Sequence, residues 1–319
     1  MASRIELIFT SEVVSGKGDH YIRSFVAIFG KIIHCKGAQL VDVYYIDGKF
    51  VPADEAEIPI DDLAILRGLG IFDFMRTYYS KPIFLKEHIA RLQQSARQIG
   101  LDLTWTEQEL TDIVQQVLRR NGHREASIRI VVTGGSSPDF ITPQGNPRLL
   151  ILVNAMTPVP EWWHTKGVKV ITLESERNIP SAKSIDYIPA IVALKAARDQ
   201  DALEAVYVNR NGMVLEGTTS NLFIFSGNTL ITPGKEILSG ITRQTVLDLA
   251  GDIFTVDIRD IPRMDLLKAD EVFITGSNRM VVPVIQVDDT VIGDGTPGRC
   301  TRQIMKAFAN YTAKLAEKF

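Results

Sequence analysis

The sequence predicts a mixed α/β protein, α+β in its broad class, built as two domains. Three observations carry this expectation. The chain has 319 residues, enough for two domains of ordinary size. Segments with strand character interleave with segments whose apolar residues recur every three or four positions. Between the halves, Met156 to Trp163 holds two prolines and two tryptophans, which reads as a linker. The expected domains are a small α/β domain over 43–155, a linker over 156–164 and a large domain over 165–319.

The elements follow in order. Val43 to Val51 reads as strand, Asp47-Gly48 turn and strand, a hairpin signal. Leu66 to Tyr78 is a β-rich segment after a glycine-containing turn. From Pro82 a short strand leads into a helix with Leu85, Ile89 and Leu92 on one face, running through Leu101. A second helix covers Thr106 to Arg119, with Leu110, Ile113, Val114 and Val117 at helical spacing and Thr106 and Glu109 as its capping box. Ala126–Thr133 and Arg148–Val153 are strands flanking a Gly-Gly-Ser-Ser-Pro loop. In the second half Gly167–Thr172 is a strand, and a helix runs from about Pro189 to Gln200. Ala205–Asn209 and Met213–Glu216 flank Asn211-Gly212, a strong hairpin signal. Leu222–Phe225 and Thr229–Thr232 form another strand pair, and Thr242–Ala250 is helical. Glu271–Thr275 is a strand ending at Gly276-Ser277-Asn278, and a terminal helix covers about Arg299 to Ala316.

Composition narrows the function classes. A hydrophobic fraction of 45% and a charged fraction of 23% are those of an ordinary globular chain. The formal charge of −3 and the lack of a dense basic cluster argue against nucleic acid as a partner. Two cysteines, Cys35 and Cys300, are too few and too far apart for a disulfide scaffold or a zinc site. Five scattered histidines without metal-ligand spacing point to no metal centre. No apolar run reaches the ~20 residues that span a bilayer, and no convincing cleavage site follows Ser24–Phe29, so the expected location is the cytoplasm.

The chemistry concentrates in two places. Glu216-Gly217-Thr218-Thr219-Ser220-Asn221 puts an acid at the end of an apolar strand, then glycine and three hydroxyl residues, a pattern suited to a flat, charged, phosphorylated ligand. Lys183, in Ser181-Ala182-Lys183-Ser184-Ile185-Asp186-Tyr187, supplies an amine that becomes a nucleophile once burial lowers its pKa. Each residue also has an ordinary reading. Lys183 resembles a solvated loop lysine, Glu216 an edge-strand acid, and Tyr187 a half-buried aromatic.

Together these stretches resemble the fold-type IV pyridoxal-phosphate enzymes: branched-chain aminotransferases, D-amino acid aminotransferases and aminodeoxychorismate lyases. The resemblance covers about residues 43 to 300, leaving 1–42 as an N-terminal extension of unknown role. That extension is an accessory arm, a start codon assigned too far upstream, or residues of artificial origin. The resemblance implies the fold-type IV architecture, pyridoxal 5′-phosphate as cofactor, and 165–319 as the cofactor-binding domain. It implies Lys183 as the Schiff-base lysine and catalytic base, and Glu216 as partner of the ring nitrogen. His88-Ile89-Ala90-Arg91-Leu92 matches the family's H-x-x-R-L, so Arg91 is implied as a phosphate ligand. Its fork suits that role, although a helix arginine paired with Glu87 is the plainer reading. Ile241 and Thr242, after Ser239-Gly240 at a helix start, and Gly276 and Ser277 at a strand end, are implied as further phosphate donors. Tyr187, Gly217 and Thr218 are implied as secondary cofactor contacts.

The implied reaction is two-stage amino transfer between an amino acid and a 2-keto acid, with ping-pong kinetics. Neither common carboxylate trap of the family is complete. The loop Thr133 to Phe140 lacks arginine and histidine, and Ser127-Ile128-Arg129 keeps only the arginine of a Tyr-x-Arg. Arg67, Phe72, Phe74, Arg76 and Arg129 are therefore the candidate substrate contacts, for a branched-chain L- or a D-amino acid. Rival readings are the lyase, which releases pyruvate with no amino acceptor, and a non-catalytic pyridoxal-phosphate-binding protein. Relatives are homodimers whose small-domain loops complete the partner's pocket, so the Gly134–Pro143 loop is expected to act in trans.

Overall fold

The computed structural model describes residues 41–319 and, within 1–40, only two short strands. Those strands, β1 (Ala27–Ile28) and β2 (Lys31–Ile32), pair antiparallel inside a separate compact unit, residues 1–40. The 1–42 extension, whose role the sequence leaves unknown, lies outside the described residues except for 41–42 and these two strands. The second compact unit, 41–319, holds everything that follows.

Its first part is a five-stranded sheet covered by two helices. The strands are β3 (Val43–Ile46), β4 (Lys49–Pro52), β5 (Gly70–Arg76), β6 (Ala126–Thr133) and β7 (Arg148–Ala155), in the spatial order β4-β3-β7-β6-β5 and antiparallel throughout. Strand β5 follows a short helix, α1 (Leu63–Arg67), where sequence alone suggested only a turn. Helices α2 (Leu85–Gln98) and α3 (Glu107–Asn121) pack on one face, burying Leu85, Ile89, Leu92, Leu110, Val114 and Val117 against Ile71, Met75, Ile128 and Ile151. The predicted capping box is formed: the Glu109 N–H donates to the Thr106 hydroxyl at 3.2 Å, and the Glu109 carboxylate accepts from the Thr106 N–H at 2.8 Å.

After 156–167, which includes the short helix α4 (Trp162–Thr165), the chain builds a ten-stranded mixed sheet. Its strands are β8 (Val168–Glu174), β9 (Glu204–Val208), β10 (Met213–Gly217), β11 (Asn221–Ser226), β12 (Thr229–Thr232), β13 (Thr255–Ile258), β14 (Ile261–Pro262), β15 (Glu271–Gly276), β16 (Met280–Val287) and β17 (Thr290–Val291). The order is β13-β12-β11-β15-β16-β8-β9-β10-β14, with β17 on β16. Every residue of β9 is buried, and β10 and β11 nearly so, which is why these strands read as continuous apolar runs rather than alternating ones. Helix α5 (Ile188–Arg198) packs Ala193 and Ala197 on Ile171, Ala205 and Tyr207. Helices α6 (Ile241–Ala250) and α8 (Arg299–Lys318) pack Val246, Ile304 and Phe308 on Phe223, Phe225 and Phe273, and α7 (Arg263–Leu267) follows β14. Strands β13, β14, β16 and β17 have no counterpart in the sequence-based expectation.

Four strand boundaries position the site. Acids stand at the start of β9 (Glu204) and near the end of β10 (Glu216), and Asn221 begins β11 while Gly276 ends β15. Among the described residues no helix is long and apolar enough to cross a membrane.

Candidate active site

A cavity of about 1530 Å³ is lined from both sheets. The lysine loop forms one wall, and its backbone explains how it is held. It runs antiparallel along the start of β5, with Phe72 N–H donating to the Lys183 carbonyl at 2.9 Å and Ile185 N–H to the Gly70 carbonyl at 3.1 Å. The Lys183 N–H donates to the Ser95 hydroxyl at 3.0 Å, and that hydroxyl donates to the Arg91 carbonyl at 2.9 Å. Anchored this way, the half-buried Lys183 sends its amine to 4.7 Å from the centre of the Phe72 ring. Burial, reinforced by Arg91 and Arg177, lowers its pKa to about 8, against the pull of Asp73 and Glu216. No other lysine lines the cavity among the described residues. Lys169 lies on β8 and Lys195 on α5.

Glu216 is buried and lines the same cavity. Its Oε2 accepts from the Leu238 N–H at 2.9 Å and the Asn221 side-chain amide at 3.2 Å, and its Oε1 faces Arg177 at 3.2 Å. Burial pushes the Glu216 carboxyl up, and Arg177 with the Leu238 N–H pulls it back. Arg177 is a residue that sequence reasoning missed. Its guanidinium also donates to the carbonyls of Pro180 and Ala182, so one side chain ties the acid to the backbone beside Lys183. Nothing local marks it, because only the return of the loop brings 177 to 216.

Glu204 is a second buried acid that the sequence did not single out. It accepts from the Thr218, Thr219 and Ser220 hydroxyls and from Arg279, and so shapes the turn after Glu216. Gly217 and Thr218 line the cavity on that turn, and a side chain at Gly217 would collide with the Ser220 hydroxyl. Tyr187, whose phenol burial pushes up, lies edge-on to Phe72 with ring centres 5.3 Å apart.

The donors for an anion gather at a third place. Gly240 caps α6 with no side chain, and a Cβ there would strike the Asn221 amide oxygen, so glycine fits by close approach. The first N–H groups of α6, on Ile241 and Thr242, face a cavity lined also by Gly276 and Ser277. Thr275 lines it too, with a buried hydroxyl that has no hydrogen-bond partner among the described residues. Arg91 is not paired with Glu87, its plainer reading. It is buried, and its fork holds not a free anion or Glu87 but Asp73, through Nε at 2.8 Å and Nη2 at 2.7 Å. Only Nη1 remains, 3.4 Å from the Ser239 carbonyl.

On the small-sheet side, β5 turns Phe72 and Phe74 into the cavity and buries Ile71, Asp73 and Met75 on its other face. Arg129, opposite Phe74 across β5 and β6, lies 5.6 and 5.7 Å from the Phe72 and Phe74 ring centres. Arg67 lines the cavity at the end of α1. Arg76 does not. The cavity ends at Phe74 on this strand, and Arg76 lies over the Tyr78 ring at 5.2 Å. In the loop expected to act in trans, Ile141 lines the cavity of its own chain, and Asp139 orders the loop by accepting from the Ile141 and Thr142 N–H groups. Among the described residues no cluster of three or more His, Cys, Asp or Glu is gathered for a metal ion.

A family described as amino-transferase class IV matches residues 70–287. A Methanocaldococcus jannaschii protein, provisionally assigned as a branched-chain-amino-acid aminotransferase, is 34% identical over 85% of this chain and 96% of its own. A D-alanine aminotransferase of Bacillus licheniformis is 33% identical over 83% of this chain and 95% of its own. The solved branched-chain aminotransferase of Thermoproteus uzoniensis superimposes with a TM-score of 0.80 at 28% identity, covering 87% of this chain and 97% of that one.

Proposed function

The chain belongs to the class IV amino-transferases, and from that membership we propose that it is a pyridoxal-phosphate-dependent transaminase moving an amino group between an amino acid with an apolar side chain and a 2-keto acid. The observation that carries this reading is one cavity faced by the Lys183 amine, the Glu216 carboxylate and the start of α6. The donor set fits the cofactor: a single lysine with a lowered pKa, a buried acid for a ring nitrogen, and an unpartnered Thr275 hydroxyl beside free helix N–H groups for a phosphate.

In this reading Lys183 bonds the cofactor, and Arg91 Nη1, Ile241, Thr242, Thr275 and Ser277 hold its phosphate. Gly217 and Thr218 line the ring side and Gly276 leaves room beside the phosphate. When bound, the cofactor supplies an electron sink for charge developing on the substrate α-carbon. Glu216, paired with Arg177 and the Leu238 N–H, would face the ring nitrogen and favour its protonated form. Tyr187, which lines the cavity, would offer its phenol to the ring oxygen. The Lys183 amine, when not bonded to the cofactor, would serve as the general base for the substrate α-proton. Ping-pong kinetics follow.

The pKa of Lys183 sets an expected pH dependence in the cofactor-free protein. Below about 8 the amine is protonated and unreactive, and above it the amine is free. The rate of capture of pyridoxal phosphate is expected to rise with pH and level off just above 8. An ordinary lysine would still be gaining reactivity up to its usual 10.5. Stopped-flow absorbance across pH 6–10 checks this.

Arg67 and Arg129 suit the substrate carboxylate, with Phe72, Phe74 and Ile141 around its side chain. Substituting Arg129 with Gln or Arg67 with Gln is expected to raise the amino-acid KM about 10- to 100-fold with a smaller change in kcat. Steady-state kinetics distinguish which arginine matters more, and Arg76→Gln is the control expected to change little. Exposed Ile65, Ile141 and Ile188 around the mouth favour a homodimer that covers them. Sedimentation tests that state.

The deciding experiment mixes the yellow enzyme with single D- and L-amino acids and follows conversion to the amine form of the cofactor. Conversion by apolar amino acids of one hand supports the proposal. Pyruvate release from aminodeoxychorismate without an acceptor would replace it with the lyase, and binding without turnover would replace it with a carrier.

A further inference from the structure

We propose that Asp73 is a positioning residue for the phosphate end of this cavity, holding Arg91 by two nitrogens so that Nη1 alone is presented to a bound anion. The inference rests on the pyridoxal-phosphate reading above. Strand β5 alternates, so Asp73 points away from the cavity, into the core formed by Ile71, Met75, Ile89 and Leu92. A fully buried carboxylate in such a place is costly unless its charge is met. Both its oxygens are engaged by α2: Oδ2 by Arg91 Nε at 2.8 Å, and Oδ1 by Arg91 Nη2 at 2.7 Å and by His88 Nδ1 at 2.7 Å.

Burial opposes the Asp73 charge, yet Arg91 and His88 overcome it and hold the carboxyl well below the usual carboxylate range. Burial lowers the pKa of His88, so its neutral ring donates the Nδ1 proton to Asp73. The guanidinium is thus fixed by Asp73, itself held by His88, before any ligand arrives. Its third nitrogen, Nη1, donates at 3.4 Å to the carbonyl of Ser239, the residue just before the Gly240 cap of α6. Preorganisation of this kind spares the bound state the ordering of a long side chain.

The proposal makes a prediction opposite in sign to that of simple charge counting. Asp73 is an anion close to the cation that meets the phosphate. If it acted only through its charge, Asp73→Asn would tighten phosphate binding. If it positions Arg91, the same substitution loosens it.

The test is equilibrium binding of pyridoxal phosphate and of pyridoxal, which lacks the phosphate, to cofactor-free protein. For Asp73→Asn the expected result is a rise of about 10-fold in Kd for pyridoxal phosphate and of no more than about 2-fold for pyridoxal. Tighter or unchanged pyridoxal phosphate binding overturns the proposal, as does an equal loss for both ligands, which would mark a purely structural role. Should Asp73→Asn not fold, His88→Asn serves instead, with an expected loss of about 3-fold confined to the phosphorylated ligand. An equal loss for both ligands, or none, then overturns the proposal. A wild-type chain that binds neither ligand defeats the cofactor reading itself, a result distinct from these.

Discussion

Lys183→Ala is expected to lower the rate of the amino-transfer half-reaction on the order of 10⁴-fold, because in the proposed function it removes both the covalent anchor and the general base. Lys183 is the one lysine lining the cavity among the described residues, with its backbone pinned to Phe72 and Ser95, so no neighbour can replace it. Lys169 and Lys195 belong to β8 and α5 and do not reach the cavity. The measurement is borohydride reduction of the cofactor-loaded protein followed by peptide mapping. Label on Lys183 in the wild type and none in Lys183→Ala is expected. Label at another lysine, or substantial turnover by the variant, would end the assignment.

Glu216→Gln carries the second largest effect. The amide keeps the shape of the side chain and can still accept from the Leu238 N–H, but it loses the negative charge facing Arg177. A ring nitrogen beside it would no longer be held protonated, and kcat is expected to fall on the order of 10²- to 10³-fold. The amino-acid KM and retention of the cofactor should change far less, because the phosphate donors lie elsewhere in the cavity. Glu216→Asp is expected to recover part of the loss, since it restores the charge at a shorter reach. Single-turnover absorbance with a saturating amino acid separates the chemical step from binding. Wild-type rates in the Gln variant would remove Glu216 from the ring-nitrogen role.

Family membership was legible in the chain because its motifs are short and contiguous: the lysine heptapeptide, the Glu-Gly-Thr run and H-x-x-R-L each fit within eight residues. Local signals also marked the long helices, as with the Thr106–Glu109 box and the apolar stripe of α2, and the Asn211-Gly212 hairpin. Four strands of the long sheet were harder. Strands β13, β14 and β17 are two to four residues long, too short for a period to emerge. Strand β16 is buried continuously over Val281 to Val284 and carries Pro283, so it offers neither alternation nor an open ladder.

The sequence by itself determined the residue types the chemistry needs and the order in which they occur, since covalent neighbours fix a motif without help from the fold. Only the tertiary structure decided the pairings. Arg91 was read as free to hold two oxygens of a ligand, and instead its fork is taken by Asp73 from another strand. Arg177 finds Glu216, and Glu204 gathers Thr218, Thr219, Ser220 and Arg279, across separations no local rule spans. Arg76 shares the strand face of Phe72 and Phe74 by period, yet the cavity stops short of it. Buried charges must find partners wherever packing brings them, because an unpaired charge in a low-dielectric interior is costly. That requirement acts through space, and along the chain it leaves no signature.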